Sequence, residues 1–144
     1  MRRSAHVLLD TGPVVALLNR SDRFHDAAAT WFRDFRGQLL TTEAVITETA
    51  YVLAASPPHQ RAALLWFDRA VRAGLLLIEP LTDLPALVRI LERYASRRPD
   101  LADASLVWLG ITHRVDQVAT VDDRDFRVYR GYSNRMFKNA FPTR

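Results

Sequence analysis

Four acidic residues stand where carboxylate chemistry would need them: Asp10, Glu48, Asp103 and Asp122. Asp10 directly follows the apolar run His6-Val7-Leu8-Leu9, and Asp122 lies just past Val118-Ala119-Thr120. Both runs read as buried strands, so both acids emerge at strand carboxyl ends. Asp103 falls in the first turn of a helix that begins near Leu101. Glu48 lies mid-helix, beside the apolar arc of Val45, Ile46, Thr49, Val52 and Leu53. That places it at the rim of the core and not on the far solvated face.

Each acid has a plainer reading. Asp10 can cap the helix that follows it. Asp100 is a good N-cap, with Asp103 a favourable acid in the first turn. Asp122 and Asp125 repeat that pattern, and Glu48 can pair with a surface arginine. The joint arrangement favours chemistry over capping. Strand ends of a parallel sheet converge on one crevice. Several acids there repel one another and hold their protons unless a cation neutralises them. The ligand set is oxygen only. There is no cysteine, and His6, His25, His59 and His113 are scattered without metal-site spacing. Such a set selects a hard ion, Mg²⁺ or Mn²⁺. A hard divalent ion neutralises charge on a transferring phosphoryl group, so the chemistry indicated is metal-assisted hydrolysis of a phosphodiester.

The charge balance agrees. The chain of 144 residues has 20 basic and 16 acidic residues, a net charge of +4. Setting the four acids aside leaves 20 basic against 12 acidic residues, or +8. An acidic pocket in a basic body suits a polyanion gripped outside and cut at a metal. Nineteen of the basic residues are Arg, the side chain best shaped for phosphate.

The elements that must position these residues alternate in type. Strands are expected at His6–Leu9, Gln38–Thr41, Leu75–Ile78 and Val118–Thr120. Helices are expected at Gly12–Leu18, Phe24–Phe35, Glu43–Ala54, His59–Ala73, Asp83–Tyr94 and Leu101–His113, with Ser56-Pro57-Pro58 stopping the third. Asp122–Phe126 reads as a short turn or helix, and the tail from Arg127 as irregular or a final strand. Strands that are apolar throughout and alternate with helices imply an α/β fold: a parallel sheet of about four to five strands with helices on both faces. The length suits a single domain over residues 1–144. Met1-Arg2-Arg3 before an apolar run faintly resembles a signal peptide, but Asp10 and Gly12-Pro13 interrupt the run. Absence of cysteine fits a reducing cytoplasm, and no apolar stretch is long enough to span a bilayer.

Val7-Leu-Leu-Asp10-Thr11-Gly12 resembles the opening of PIN-domain ribonucleases, specifically the VapC-type toxins of bacterial toxin–antitoxin pairs. Thr47-Glu48 resembles their glutamate segment, Asp100-Leu-Ala-Asp103-Ala-Ser-Leu-Val107 their third motif, and Thr120-Val-Asp122-Asp-Arg-Asp125-Phe126 their fourth. The matches follow the family order from Val7 to Phe126. The resemblance implies a PIN fold and an Mg²⁺-dependent endoribonuclease, with Mn²⁺ a plausible substitute. It implies an acidic quartet of Asp10, Glu48, Asp103 and Asp122. Asp10 and Asp103 would be direct metal ligands, Asp122 a further or water-mediated one, and Glu48 the group that orients or deprotonates the attacking water. Asp125, Asp100, Thr11 and Thr120 are outer candidates that could support those ligands or simply cap and close turns. The family's partners are an RNA substrate, a cognate antitoxin and a second copy of the toxin.

Two further features have open readings. Arg124–Arg144 interleaves six basic residues with Phe126, Tyr129, Tyr132, Phe137 and Phe141. This is either a groove for single-stranded RNA or an edge strand whose aromatics pack on the core. Leu64-Leu65-Trp66-Phe67 must face both sides of its helix, which suggests an interface for the homodimer or antitoxin. The alternative to an enzyme is a non-catalytic RNA- or protein-binding member of the same fold. A receiver-type phosphoacceptor would need an acidic pair after the first strand and a late lysine in its site, and the only lysine is Lys138. A nuclease of structured DNA would use larger insertions than this chain has.

Overall fold

The computed structural model describes residues 5–143. Met1-Arg2-Arg3 and Arg144, the last cation of the basic tail, lie outside the described residues. Five strands form one parallel sheet: β1 (Ala5–Leu9), β2 (Gly37–Thr42), β3 (Leu76–Glu79), β4 (Gln117–Ala119) and β5 (Lys138–Asn139). Their order is β3-β2-β1-β4-β5, and every pairing is parallel. Seven helices accompany them: α1 (Thr11–Leu18), α2 (His25–Asp34), α3 (Glu43–Val52), α4 (Pro57–Arg72), α5 (Leu84–Arg93), α6 (Leu101–His113) and α7 (Asp123–Phe126).

The sheet separates two apolar layers. Side chains alternate along a strand, so consecutive residues serve opposite faces. Leu8, Leu40 and Val118 join α5, α6, Phe126 and Tyr129 on one face. Val7, Leu9, Leu39 and Ala119 join α1, α2 and α4 on the other. Both faces are covered, which is why the strands carry no polar alternation.

The order places β1 between β2 and β4. The chain leaves β1 towards β2 on one side and reaches β4 on the other much later. This is the switch point at which ligands bind an open parallel sheet. Two hydroxyls fix the neighbouring elements there. Thr41 Oγ1 donates to Leu9 O at 2.8 Å, and Thr42 Oγ1 meets Ser105 Oγ at 2.7 Å. The second contact ties the end of β2 to α6, close to the helix start that carries Asp103.

Several expectations are adjusted. Ser56-Pro57-Pro58 does not stop α3, which ends at Val52. It opens α4, where proline occupies the first helical positions and loses no intrahelical hydrogen bond. Val52 is not in the core arc of α3; it is 50% exposed, while Leu53 is buried. The tail forms edge strand β5, and Phe126, Tyr129, Phe137 and Phe141 are all buried. These four aromatics are therefore core residues, not a stacking platform for bases. The α4 run splits as its helical positions demand: Phe67 is buried, whereas Leu64 and Leu65 are 46% and 53% exposed. No helix among the described residues is long and apolar enough to cross a membrane.

Candidate active site

The carboxyl ends of β1 and β4 and the start of α6 enclose a cleft of about 410 Å³. Asp10, Glu48, Asp103 and Asp122 all line it, as do Thr11, Asp100 and Asp125. Thr120 supports it from beneath.

Asp10 follows β1 and caps α1. Its N–H continues the sheet by donating to Ala119 O at 3.0 Å. Its Oδ1 accepts from Thr11 N at 2.8 Å, and its Oδ2 accepts from Thr120 Oγ1 at 2.7 Å. Burial pushes the Asp10 carboxyl up to about 6. The two hydrogen bonds pull it down, while the charges of Asp100 and Asp122 push the same way as burial. Thr120 Oγ1 also accepts from Asp122 N at 2.9 Å. One hydroxyl thus joins the acids that follow β1 and β4.

Asp103 sits in the first turn of α6, its N–H donating to Oδ1 of the cap Asp100 at 2.8 Å. Its Oδ2 accepts from Tyr129 Oη at 3.0 Å. Burial first, then the charges of Asp10 and Asp100, push Asp103 up to about 8. Glu48 is half-buried on α3 and is pushed up to about 7 by burial, then by the Asp100 and Asp10 charges. Asp100 stands beside Glu48 in the cleft, and its presence is what raises Glu48 most after burial. Asp122 caps α7 and is also raised, by burial and then by its contact with Asp125. Asp125 pairs with Arg97 Nη1 at 3.2 Å. Asp100 and Asp122 therefore cap helices and line the cleft at once, so the two readings of these acids were not alternatives.

Three features escaped sequence reasoning. Asp22 lines the cleft but carries only the local signature of a turn, accepting from Phe24 N at 2.8 Å. Arg98 is the one cation among the cleft-lining residues, held in left-handed backbone at φ 50°. Nothing in Ser96-Arg97-Arg98-Pro99 distinguishes it from a linker. Tyr129 reaches Asp103 across 26 residues, a pairing with no sequence periodicity to announce it.

Clustered acids with raised pKa values are a charge problem that a divalent cation solves. The donor set fits a hard ion: carboxylates dominate, and among the described residues Thr11 Oγ1 is buried without a hydrogen-bond partner. Among the described residues, no three acidic or histidine side chains stand close enough to close on an ion. Mg²⁺ does not need such a cage, since it keeps several waters and takes one or two carboxylates directly.

The sequence model of the PIN domain matches residues 7–131, and the chain belongs to that family. Among solved structures, the chain is similar to VapC20 of Mycobacterium tuberculosis, described as a sarcin-ricin loop cleaving toxin. The TM-score is 0.67 at 22% identity, over 78% of this chain and 86% of that one. At that identity the likeness shows a shared fold. No curated protein matches the sequence.

Proposed function

We propose that the chain is a divalent-metal-dependent endoribonuclease and the toxin of a toxin–antitoxin pair, acting in the cytoplasm as a single domain. The observation that carries this reading is the cluster of carboxylates with raised pKa values at the switch point of a PIN-family sheet. The similarity to a toxin described as sarcin-ricin loop cleaving supports the substrate class. A cognate antitoxin and a second copy of the chain are its proposed protein partners, with the exposed Leu64 and Leu65 of α4 as a candidate contact.

Asp10 and Asp103 would hold the ion, with Asp122 as a further or water-mediated ligand. Mg²⁺, or Mn²⁺ in its place, would neutralise charge on the phosphoryl oxygens as the backbone is cut. Thr120 and Tyr129 aim the Asp10 and Asp103 carboxylates. Glu48, raised to about 7, is poised near neutral pH for general-base work. It would take a proton from the attacking water as the water oxygen bonds to phosphorus and one bridging P–O bond breaks, the departing ribose oxygen taking a proton from solvent. Asp100 then tunes Glu48 and starts α6, and Asp125 anchors Arg97 beside Asp122.

The test is cleavage of RNA by purified protein with Mg²⁺ or Mn²⁺, and with EDTA. The account expects metal-dependent cutting that Asp10→Asn and Asp103→Asn abolish while remaining folded. Equal trace activity in wild type and both variants would instead favour the non-catalytic binding module.

A further inference from the structure

A second cavity, of about 280 Å³, lies between α5 and α6. Arg89, Arg93 and Arg130 line it together with Tyr94, Trp108 and Ile111, and no acidic side chain does. Among the described residues, none of the three arginines forms an ion pair with a carboxylate. Two are nevertheless held in place. Arg130 Nη1 donates to the carbonyls of Arg127, Val128 and Tyr129 at 2.8, 2.9 and 3.1 Å. The Arg93 guanidinium lies 5.2 Å over the Tyr94 ring and donates to Asn134 Oδ1 at 3.3 Å. Three like charges gathered without a counter-charge repel one another. Fixing them on neutral partners keeps them available to an anion from outside.

The groove shares its framework with the acidic cleft. Arg130 N donates to Tyr94 Oη at 2.8 Å. Tyr94 meets Tyr129 edge to face at 5.0 Å, and Tyr129 bonds Asp103. Along α6, Trp108 follows Asp103 by five residues, about 7.5 Å at 1.5 Å per residue. Tyr94 lines the groove and Tyr129 touches Asp103, so one packed pair of rings lies between the groove and the acidic cleft.

We propose that the α5/α6 groove of Arg89, Arg93 and Arg130 grips backbone phosphates of single-stranded RNA on one side of the cut. This rests on the endoribonuclease reading and adds where the strand runs. Arginines beside the half-buried Trp108 suit phosphate and base together, which favours RNA over an acidic protein segment.

The test is fluorescence anisotropy of a short labelled single-stranded RNA in EDTA, where nothing is cut, over a range of salt. The variant is Arg89→Gln/Arg93→Gln. Its charge-matched control is Arg33→Gln/Arg36→Gln, on exposed positions at the end of α2 and just before β2. Removing two phosphate contacts should weaken binding on the order of tenfold and flatten the logarithmic salt slope by about 1.4. The control should move neither, and Arg89→Lys/Arg93→Lys should keep most of the slope. Equal losses in variant and control would mean bulk charge and overturn the groove, as would an unchanged variant on a wild type that binds. A variant that binds an acidic polyglutamate peptide more weakly but RNA as well as wild type would overturn it in favour of a protein partner. A wild type that neither binds nor cuts RNA would overturn the nuclease reading itself, which separates the two failures.

Discussion

Tyr129 donates its phenolic hydrogen to Oδ2 of Asp103 at 3.0 Å. Tyr129 comes from the segment after α7, is buried against Tyr94 and Phe126, and is itself held protonated by burial and by the Asp103 charge. This bond pulls the Asp103 carboxyl down against a burial effect that raises it. Tyr129→Phe should therefore shift the acid limb of the cleavage profile to higher pH and lower the rate below it. Above about pH 8, where Asp103 is charged, a hydrogen bond to it is worth about 1.5–3 kcal/mol, so a loss of stability in that range is expected in chemical denaturation there. An unchanged pH profile would mean that Tyr129 only packs.

Thr120 makes a comparable prediction from the other side of the cleft. Its hydroxyl donates to Asp10 and accepts from the Asp122 backbone. Thr120→Val keeps the shape and leaves both partners short of a bond. Removing one partner of a buried pair costs about 1–3 kcal/mol. Denaturant melts should show that loss, and the metal needed for half-maximal cleavage should rise.

The raised acids also set a pH dependence for the metal-free protein. Folding lifts Asp10 from 3.8 to about 6, Glu48 from 4.5 to about 7 and Asp103 from 3.8 to about 8. Between those limits the folded state binds more protons than the unfolded state, so stability falls as pH rises. The contribution of these groups is fully present below about pH 4 and is lost through about pH 6–8. Thermal melts in EDTA should show Tm declining over that window, and Asp103→Asn should flatten the decline. A Tm that rises with pH for wild type and variant alike would contradict this origin of the shifts.

Gly12 tests the packing that closes the cleft. A Cβ at this position would collide with the Val121 side chain, which lines the cleft between Thr120 and Asp122. Overpacking of this kind costs about 1–3 kcal/mol. Gly12→Ala should be destabilised by that much, and Val121→Ala in the same chain should recover part of the loss in denaturation.

Much of this arrangement was legible because the acids lie next to strong local signals. The Asp100 cap, the apolar run and its end at His113 give α6 its observed limits, and buried strands of Leu, Val and Ile give β1 to β3. What escaped was set by tertiary contact. β5 has two residues, Lys138 and Asn139, too short for any period. The tail aromatics carried equal signals for bases and for core, and only the enclosing elements decide for core: α5 and α6 over Phe126, Tyr129 and Phe137, and α2 over Phe141. Arg89, Arg93 and Arg130 come from two distant segments, so no window of sequence contains the groove. Val52 misled because helix periodicity marks an apolar position without telling the core from the rim of a cleft.

RNA cleavage as proposed depends on a divalent cation held by the carboxylates of this cleft. Calorimetric titration with Mn²⁺ near pH 6.5, in buffers of different ionisation enthalpy, tests it most directly. Ligand carboxylates must lose their protons when metal binds, and Asp103, pushed up to about 8, still holds its own at that pH. Binding should be accompanied by proton release, with the affinity lost in Asp10→Asn and Asp103→Asn. No binding, or binding of equal strength in both variants, would contradict it.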